Sequence, residues 1–357
     1  MAFRSKSIFG IALVAAVFAA ANGSGEKPKA SPPLPVVEES PVSREEALIG
    51  KPASGNARNG PLYPAIEVFP TIVDARQANK EAVDLFNRFF ATKSRHDSDA
   101  TMEFISRDLS VYVDATLGWE LNGYDALKEV WAQYMPSWGK GRSYPTRILG
   151  EVNGGTGSVM LEFTDTPELF GADMRVLGAV DVVDGKITRW ADYWDSAAYD
   201  GKRFQKIKRT PVDPPPALRS KPGVTSARIR DVASNFVEMV STGNTAGAAT
   251  LFSYDGVFED RSLNTTIVGF PAINRYLARV NHKSPFGRGV KLGHVVGGDA
   301  GGGFEWASSS SPVRTGAAAL SINTEEKITR VSILYDSRNL SATGRSELAA
   351  LTLEPPQ

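Results

Sequence analysis

The stretch that decides the fold runs Val180-Asp-Val-Val-Asp-Gly-Lys-Ile-Thr-Arg-Trp-Ala-Asp-Tyr-Trp-Asp195. Its dipeptide Asp184-Gly185 separates two runs that are rich in β-branched and aromatic residues. A two-residue hairpin turn needs positive φ angles, and glycine adopts them without a steric penalty. The sequence therefore predicts two antiparallel strands, residues 175–183 and 186–194, joined by a tight turn.

Successive side chains of a strand point to opposite faces, so the second predicted strand has two different sides. One side carries Thr188, Trp190, Asp192 and Trp194. The other side carries Ile187, Arg189, Ala191 and Tyr193. Asp192 is then a carboxyl group set between two tryptophans, and it is the strongest chemical signal in the sequence.

The composition is that of a globular protein with more than one core. A chain of 357 residues is longer than one core usually needs, which predicts two domains. The 40 basic and 40 acidic residues balance, so we expect no nucleic-acid partner and no attraction to an anionic membrane. Cysteine is absent, which excludes disulfides, thiolate nucleophiles and cysteine-based metal sites.

The first 21 residues have the pattern of an export signal. A basic start is followed by an apolar run at 8–20 and by small residues that suit signal cleavage. We therefore expect a secreted or periplasmic protein. The alternative is a protein anchored to the membrane by an uncleaved signal, although the run is shorter than the ~20 residues of a membrane span.

Two segments lack hydrophobic periodicity and divide the rest of the chain. Residues 22–70 and 201–223 are rich in proline and charged residues, which is typical of a disordered tether and an interdomain linker. The predicted organisation is a signal peptide (1–21), a tether (22–70), a first unit (71–200), a linker (201–223), a second unit (224–342) and a C-terminal tail (343–357).

The two units resemble each other in the order of their motifs. Asp114 and Gly123 are nine residues apart, as are Asp260 and Gly269. Further matches pair Leu149-Gly-Glu-Val-Asn-Gly-Gly155 with Leu292-Gly-His-Val-Val-Gly-Gly298, Glu162 with Glu305, Lys186-Ile-Thr-Arg189 with Lys327-Ile-Thr-Arg330, and Trp194-Asp195 with Tyr335-Asp336. This self-similarity predicts a duplication, and it indicates a shared fold rather than a shared function.

Each unit has the same predicted elements. An amphipathic helix and a short helix come first, then a strand that ends in aspartate, a third helix and several long strands. Helices followed by antiparallel strands predict an α+β fold in which a curved sheet wraps the helices.

This order, with the closing strand "DGKITRWADYWD", resembles the SnoaL-like branch of the nuclear transport factor 2-like superfamily, which includes polyketide cyclases, ketosteroid isomerases and limonene epoxide hydrolases. The resemblance is good over residues 75–200 and weaker over 225–342. It implies two cone-shaped, cystatin-like units, each with three helices on a curved, mainly antiparallel sheet and an apolar pocket for a small apolar molecule. It also implies pairing through the sheets, either between the two units of one chain or in a homodimer.

The second unit indicates which side of the closing strand faces the pocket. The matching positions there are Thr329, Val331, Ile333 and Tyr335, a largely apolar set that predicts an inward-facing side. Burial raises the pKa of a carboxyl group and suits Asp192 to proton transfer. The resemblance implies the same role, because SnoaL-like cyclases use an aspartate of a late strand as acid and base. The alternative is an aspartate hydrogen-bonded to its neighbours at a wet rim.

Two further residues are candidates for catalysis. Asp114 stands where the similar ketosteroid isomerases place their proton-shuttling aspartate, and the alternative is an acid that caps a loop at the end of a strand. His96 resembles a histidine at the pocket edge of SnoaL-like sequences, and the alternative is a solvated loop residue. The predicted substrate-binding residues are the aromatic side chains Tyr112, Trp119, Tyr134, Trp138, Trp190 and Trp194, which can equally belong to the core.

Other sites are weaker. Asp173 and Arg175 with Asp192 supply the residue types of an epoxide hydrolase, and a cross-strand ion pair explains the first two equally well. The histidines of the second unit, His282 and His294, have no carboxylate cluster at ligand spacing, so we expect no metal and no other cofactor.

Two functions from different classes remain open. In one, the first unit is an acid–base enzyme of the cyclase, isomerase or hydratase type and the second unit is a degenerate copy. In the other, the protein is a non-catalytic ligand-binding or assembly module. A closed apolar cavity into which Asp192 and Asp114 point favours the enzyme, and a filled interior favours the module.

Overall fold

The computed structural model describes residues 66–68, 71–108, 111–202, 205, 208 and 223–354. The predicted signal peptide, nearly all of the tether and most of the linker lie outside these residues. None of the described helices has both the length and the hydrophobicity of a membrane span.

The first unit follows the predicted order of elements. Two strands lead into it, β1 (Ile66–Val68) and β2 (Thr71–Ala78), and the first of them lies within the predicted tether. The remaining elements are α1 (Lys80–Ser94), α2 (Ser98–Met102), β3 (Val111–Asp114), β4 (Trp119–Leu121), α3 (Tyr124–Tyr134), a 3-10 turn (Met135–Trp138), β5 (Ser143–Asn153), β6 (Thr156–Asp165), α4 (Pro167–Phe170), β7 (Met174–Val183) and β8 (Lys186–Trp194).

The second unit has the same order of main elements, without counterparts of β1, β2 and α4 and with a further helix at its end. Its elements are α5 (Ala227–Thr242), α6 (Thr245–Thr250), β9 (Phe252–Asp260), β10 (Thr265–Val268), α7 (Phe270–Val280), β11 (Val290–Gly297), β12 (Gly301–Ser308), β13 (Thr315–Ile322), β14 (Ile328–Tyr335), a 3-10 turn (Ser337–Asn339) and α8 (Ala342–Thr352). Helix α8 lies in the predicted C-terminal tail, where the sequence analysis identified no element.

The described strands form two sheets with matching strand orders. One sheet has the order β1-β2-β5-β6-β7-β8-β3-β4, and the other has the order β10-β9-β14-β13-β12-β11. The pairs β3/β8 and β9/β14 are parallel, and most other pairs are antiparallel. The predicted α+β class is confirmed.

The predicted hairpin is confirmed, with one local difference. Strands β7 and β8 pair antiparallel, and Asp184 and Gly185 have φ angles of 52° and 71°. Asp181 pairs with Arg189 while Val182 pairs with Ile187, so Thr188 is an extra residue that forms a β-bulge. Because of the bulge, the Ile187 side chain points into the core of the first unit. The prediction that Ile187 shares a face with Arg189 is therefore wrong.

One of the predicted sequence matches is out of register. Leu149 was matched with Leu292, but Gly150 and Gly297 occupy equivalent places in β5 and β11, with φ angles of 140° and 131°. Leu149 therefore corresponds to Val296, and both belong to one apolar cluster between the sheets. The recurring Leu-Gly pair misled the comparison, because Leu292 stands where β5 has Pro145, four residues before the place of Leu149.

The two sheets contact each other through the faces that point away from their helices. The apolar side chains at this contact are Val111, Val113, Leu149, Met160, Leu177, Ala179, Ala191, Tyr193, Val296, Ala317, Ala319 and Leu334. Many central strands are therefore covered on both sides, by helices on one face and by the other sheet on the opposite face. Apolar runs such as those of β7 and β13 are typical of strands that are buried on both faces.

Polar contacts fix how the two sheets are placed. The Oδ1 atom of Asp336 accepts hydrogen bonds from the backbone and hydroxyl of Ser196, and Asp195 accepts the equivalent two from Ser337. This exchange is reciprocal between the units. Near one end of the contact, Arg189 forms an ion pair with Glu305 at 2.6 Å, with both side chains buried.

Replacing Glu305 by glutamine is expected to lower the free energy of unfolding by about 3–5 kcal/mol, because the buried guanidinium of Arg189 then lacks a counter-charge. Urea unfolding measures the effect. The matched control is Glu347→Gln, which removes a half-exposed pair with Lys283 and is expected to cost less than about 1 kcal/mol. Equal costs for the two variants would contradict the importance of the pair between the sheets.

Candidate functional site

Asp192 lies on the inner face of β8, under the helices of the first unit, and is 5% exposed. Its Oδ2 atom accepts a hydrogen bond of 2.6 Å from the Tyr112 hydroxyl, and its Oδ1 atom accepts one from the indole N–H of Trp190. Tyr112 reaches Asp192 because β3 pairs in parallel with β8, which sets Tyr112 beside Trp190 and Asp114 beside Asp192. Asp192 is therefore a buried carboxyl group held by two aromatic donors.

Gly178 makes room for this carboxyl group. It pairs with Asp192 across β7 and β8, and a Cβ atom there would lie 3.1 Å from both Asp192 Oδ1 and Trp190 Nε1. Such a contact is tighter than side chains normally tolerate. The glycine therefore helps to position the Asp192 carboxyl, and the sequence analysis did not identify it.

Burial changes the protonation of Asp192. Desolvation raises the pKa of Asp192 to about 7, while the hydrogen bond from Tyr112, the charge of Lys93 and the hydrogen bond from Trp190 oppose the rise. Burial and the neighbouring Asp192 hold the pKa of Tyr112 well above its ordinary value, so Tyr112 stays a hydrogen-bond donor. At neutral pH the Asp192 carboxyl is present in both the protonated and the ionised form.

Sequence reasoning missed two charged residues close to this site. Lys93 is buried in α1 with its Nζ atom 3.7 Å from Asp165 Oδ1 and 4.9 Å from the centre of the Phe163 ring. A signal was available, because Lys93 follows Phe86 and Phe89 at helical spacing on the apolar face. A lysine in phase with core residues indicates a buried cation rather than a solvated one.

Other buried polar atoms lie around this ion pair. Trp138 Nε1, Ser143 Oγ and Asp165 Oδ1 have no hydrogen-bond partner among the described residues. Ser143 and Asp165 pair directly across β5 and β6, and Lys93 lies 5.8 Å from the centre of the Trp138 ring. Buried polar atoms without partners are costly, so this corner of the first unit is chemically unusual.

Asp114 has contacts that explain it structurally. Its carboxyl accepts hydrogen bonds from the indole N–H of Trp194 at 3.0 Å and from the backbone of Leu117 at 2.8 Å, and burial raises its pKa to about 6. Asp260 in the second unit has the equivalent bonds from Tyr335 and Leu263. The repeated arrangement is that of an acid that caps a loop, the alternative to the predicted catalytic role.

His96 is held by contacts with Gly141 and Trp138. Its Nε2 atom is 2.7 Å from the carbonyl oxygen of Gly141, and its ring packs edge-on against Trp138 at 5.6 Å between ring centres. Within the described part of the chain, no hydrogen bond joins His96 to either candidate aspartate. The structure therefore sets Asp114 beside Asp192 and places His96 against Gly141 and Trp138, and the catalytic role of His96 stays a prediction.

The predicted aromatic residues divide into two groups. Tyr112, Trp119 and Tyr134 are half-buried against the core, whereas Trp138, Trp190 and Trp194 are buried. The rings that surround Trp190 at 5.1–6.4 Å between centres are Phe86, Phe89, Phe90 and Phe163. This packing places Trp190 in the core, which differs from the predicted substrate surface, because phenylalanines occupy the space beside it.

The arrangement of an epoxide hydrolase does not form. Met174 and Val176 point into the core of the first unit, so Asp173 and Arg175 point to the opposite face of β7 from Asp192. The sheet separates the arginine from the carboxyl group, which corrects that alternative. In the described residues, no three His, Asp or Glu side chains lie close enough to hold a metal ion.

The second unit lacks the polar residues of this site. The parallel pair Asp260 and Ile333 corresponds to Asp114 and Asp192, and the helices α1 and α5 align from their N-caps, Asn79 and Ser226. On this alignment, Val240, Phe258, Ser308 and Ile333 stand where the first unit has Lys93, Tyr112, Asp165 and Asp192. The polar cluster is therefore a feature of the first unit alone.

Comparisons with known proteins give structural neighbours. No protein family model matches the chain, and no curated protein matches its sequence. A steroid delta-isomerase from Pseudomonas aeruginosa is 11% identical, with 36% of this chain and 90% of that chain covered and a TM-score of 0.29. A putative ketosteroid isomerase from Kribbella flavida is 18% identical, with 39% of this chain and 96% of that chain covered and a TM-score of 0.28. A putative polyketide cyclase from Sinorhizobium meliloti is 22% identical, with 30% of this chain and 93% of that chain covered and a TM-score of 0.24.

The contribution of Asp192 to the free energy of unfolding is expected to fall as the pH rises from about 4 to about 7. Its pKa is higher in the folded than in the unfolded chain, so the folded state binds more protons in this range and loses stability as they dissociate. In Asp192→Asn, the stability lost between about pH 5 and pH 8 is expected to be about 1–3 kcal/mol smaller than in wild type. Urea unfolding at both pH values measures this difference.

The matched control is Asp260→Asn, because burial also raises the pKa of Asp260 to about 7. Each single variant is expected to reduce the pH dependence, and the double variant to reduce it further. A pH dependence in Asp192→Asn as steep as in wild type would show that the Asp192 carboxyl is not protonated near neutral pH.

Proposed function

We propose that the first unit binds a small, largely apolar molecule and performs acid–base chemistry on it with Asp192, as a member of the SnoaL-like branch of the nuclear transport factor 2-like superfamily. The proposal makes the second unit a degenerate copy. One observation carries it: the polar cluster of Lys93, Tyr112, Asp165 and Asp192 is present in one unit and replaced in another that has the same elements.

The comparison of the units separates function from folding. Burying polar groups costs free energy unless every group is paired. The second unit builds the same sheet and helices with Phe258 and Ile333 at the places of Tyr112 and Asp192. The fold therefore does not require the hydroxyl or the carboxyl group, and their retention in the first unit favours a chemical role.

The protonation of Asp192 suits that role. A group whose pKa lies near the working pH is the most effective proton donor and acceptor, and the pKa of Asp192 is about 7. Tyr112 is half-buried and donates to this carboxyl, so the proposal makes the Tyr112 hydroxyl the group through which a bound molecule exchanges a proton with Asp192. Like Tyr112, the side chains of Phe104, Trp119, Leu121, Val130 and Tyr134 are half-buried against the core of the first unit, which suits an apolar ligand.

In the second unit, helix α8 packs against the core, and no aspartate stands at the place of Asp192. Leu348 of α8 is buried in the core of the second unit, and Arg279 of α7 donates a hydrogen bond of 3.1 Å to the carbonyl oxygen of Leu351 in α8. Ile333 stands at the place of the acid. We therefore assign the chemistry to the first unit.

The proposal extends to the export and assembly of the protein. Residues 1–21 act as an export signal, which places the protein outside the cytoplasm. The contact between the two sheets takes the place of a homodimer contact, because the outer face of each sheet is already covered by the other within one chain.

A second candidate function is a non-catalytic ligand-binding or assembly module. The packing of four phenylalanines around Trp190 favours it, as do the aromatic donors that already occupy both oxygens of Asp192. The two candidates differ in whether the carboxyl of Asp192 exchanges protons with a bound molecule.

Proton exchange into small ketones and enones tests the proposal. The protein is incubated in D2O with a panel of these compounds, and NMR follows the replacement of hydrogen by deuterium at the carbon next to the carbonyl group. Exchange faster than in buffer is expected, with a rate that changes near the pKa of Asp192, about 7. Asp192→Asn is expected to slow it by roughly 10²-fold or more.

The control is Asp260→Asn, which alters an equally buried carboxyl group in the second unit and should leave the exchange rate unchanged. Exchange at the buffer rate for the whole panel would contradict an acid–base role on carbonyl compounds. If ligands raise the melting temperature of wild type without any exchange, the non-catalytic binding module is the better description.

A further inference from the structure

The two ends of the contact between the sheets differ in charge. At one end, called the sealed end, Asp181 lies 2.8 Å from His294 and Arg189 pairs with Glu305. By strand register, Ser321 and Arg147 at the other end correspond to Asp181 and His294. Arg330 and Glu162 correspond to Arg189 and Glu305. If the other end made the same ion pair as the sealed end, Arg330 would pair with Glu162.

That pairing is replaced at the second end. Arg330 forms a two-pronged ion pair with Glu259, at 2.8 and 3.0 Å, instead of with Glu162. Glu162 is held by Arg147 at 2.8 Å and by Arg261 at 3.3 Å. The side chains are drawn apart, and a cleft of about 360 Å³ lies among them.

The cleft is lined almost entirely by polar side chains. It is defined by Asp74, Tyr144, Thr146, Arg147, Glu162, Thr164, Asp173, Arg175, Arg261 and Arg330, and it is called the arginine cleft below. Its volume is in the range of small-molecule sites, about 300–1,000 Å³. Four guanidinium groups and three hydroxyl groups face one space.

The contact between the sheets does not require these charges. At the sealed end, the position equivalent to Arg175 is occupied by Thr315, and the position equivalent to Arg261 is occupied by Ala115. The sealed end packs with these smaller, uncharged side chains. Of the two added arginines, Arg261 joins the sheets through its ion pair with Glu162, whereas Arg175 makes no ion pair among the described residues, so the contact between the sheets does not account for Arg175.

One arginine of the cleft is uncompensated. Arg175 is exposed, and in the described part of the chain no carboxylate lies within ion-pair distance of it. Tyr144 and Thr164 are its neighbours across β5, β6 and β7, so two hydroxyl groups stand beside the free guanidinium. With Arg76, which pairs with Asp74, and Glu259, which pairs with Arg330, five arginines face four carboxylates around the cleft.

We propose that the arginine cleft binds a small molecule that carries one oxyanion group, a carboxylate or a phosphate, with Arg175 as the principal contact. The planar guanidinium fork matches both groups with two parallel hydrogen bonds. The hydroxyl groups of Tyr144 and Thr164 supply further donors. The site is independent of Asp192, because the sheet lies between the two.

Titration calorimetry with inorganic phosphate and, separately, with acetate tests this proposal, with sodium chloride adjusted to keep the ionic strength constant. Saturable binding of at least one of the two anions is expected for the full chain. Arg175→Gln is expected to weaken it tenfold or more. Because Arg175 is exposed and has no carboxylate partner, this variant should fold normally, which its melting temperature checks.

Two controls complete the experiment. Arg230→Gln removes an exposed arginine on α5, outside the cleft, and is expected to bind as wild type does. Asp192→Asn is expected to bind normally too, so that a failure of the acid–base proposal stays distinguishable from a failure of this one. A heat that never saturates, or equal binding by Arg175→Gln and wild type, would overturn the proposal. Binding of phosphate alone or of acetate alone identifies the group that the cleft accepts.

Discussion

The back-to-back contact of the two sheets is the constraint on which the rest of the structure depends. It covers the outer face of each sheet, so most central strands have no face toward water. Apolar residues can fill both faces, but any charged residue there needs a partner from the other unit. The pairs of Arg189 with Glu305 and of Asp181 with His294 meet this requirement. Helices then cover the inner faces, and Asp192 of the first unit is buried beneath them.

Two units with the same elements in one chain allow each residue to be compared with its counterpart. Asp114 and Asp260 make the same hydrogen bonds in both units, which identifies a requirement of the fold. Asp192 has Ile333 as its counterpart, which identifies a residue that the fold does not need. The comparison separates two carboxyl groups that both units share from one that the fold does not need, although burial raises the pKa of all three.

Local signals in the sequence were sufficient for the fold class and for the position of Asp192. The Asp184-Gly185 turn, the alternation of β8 and the strand that ends in Asp114 depend on short-range geometry. The rest depends on contacts between distant residues. The bulge at Thr188 shifts the face of Ile187, and no residue type in the stretch marks it. Lys93 and Asp165 meet only after α1 has packed against the sheet, so their pairing could not be read from spacing.

The reciprocal hydrogen bonds of Asp195 with Ser337 and of Asp336 with Ser196 have a consequence for how this protein can change. In a dimer of identical chains, every substitution is made twice, once at each end of the two-fold contact. Here the partners belong to one polypeptide, so a mutation alters one half and leaves the other as it was. One end can stay tightly shut while the opposite end gathers arginines, and one interior can keep an acid that the other has lost.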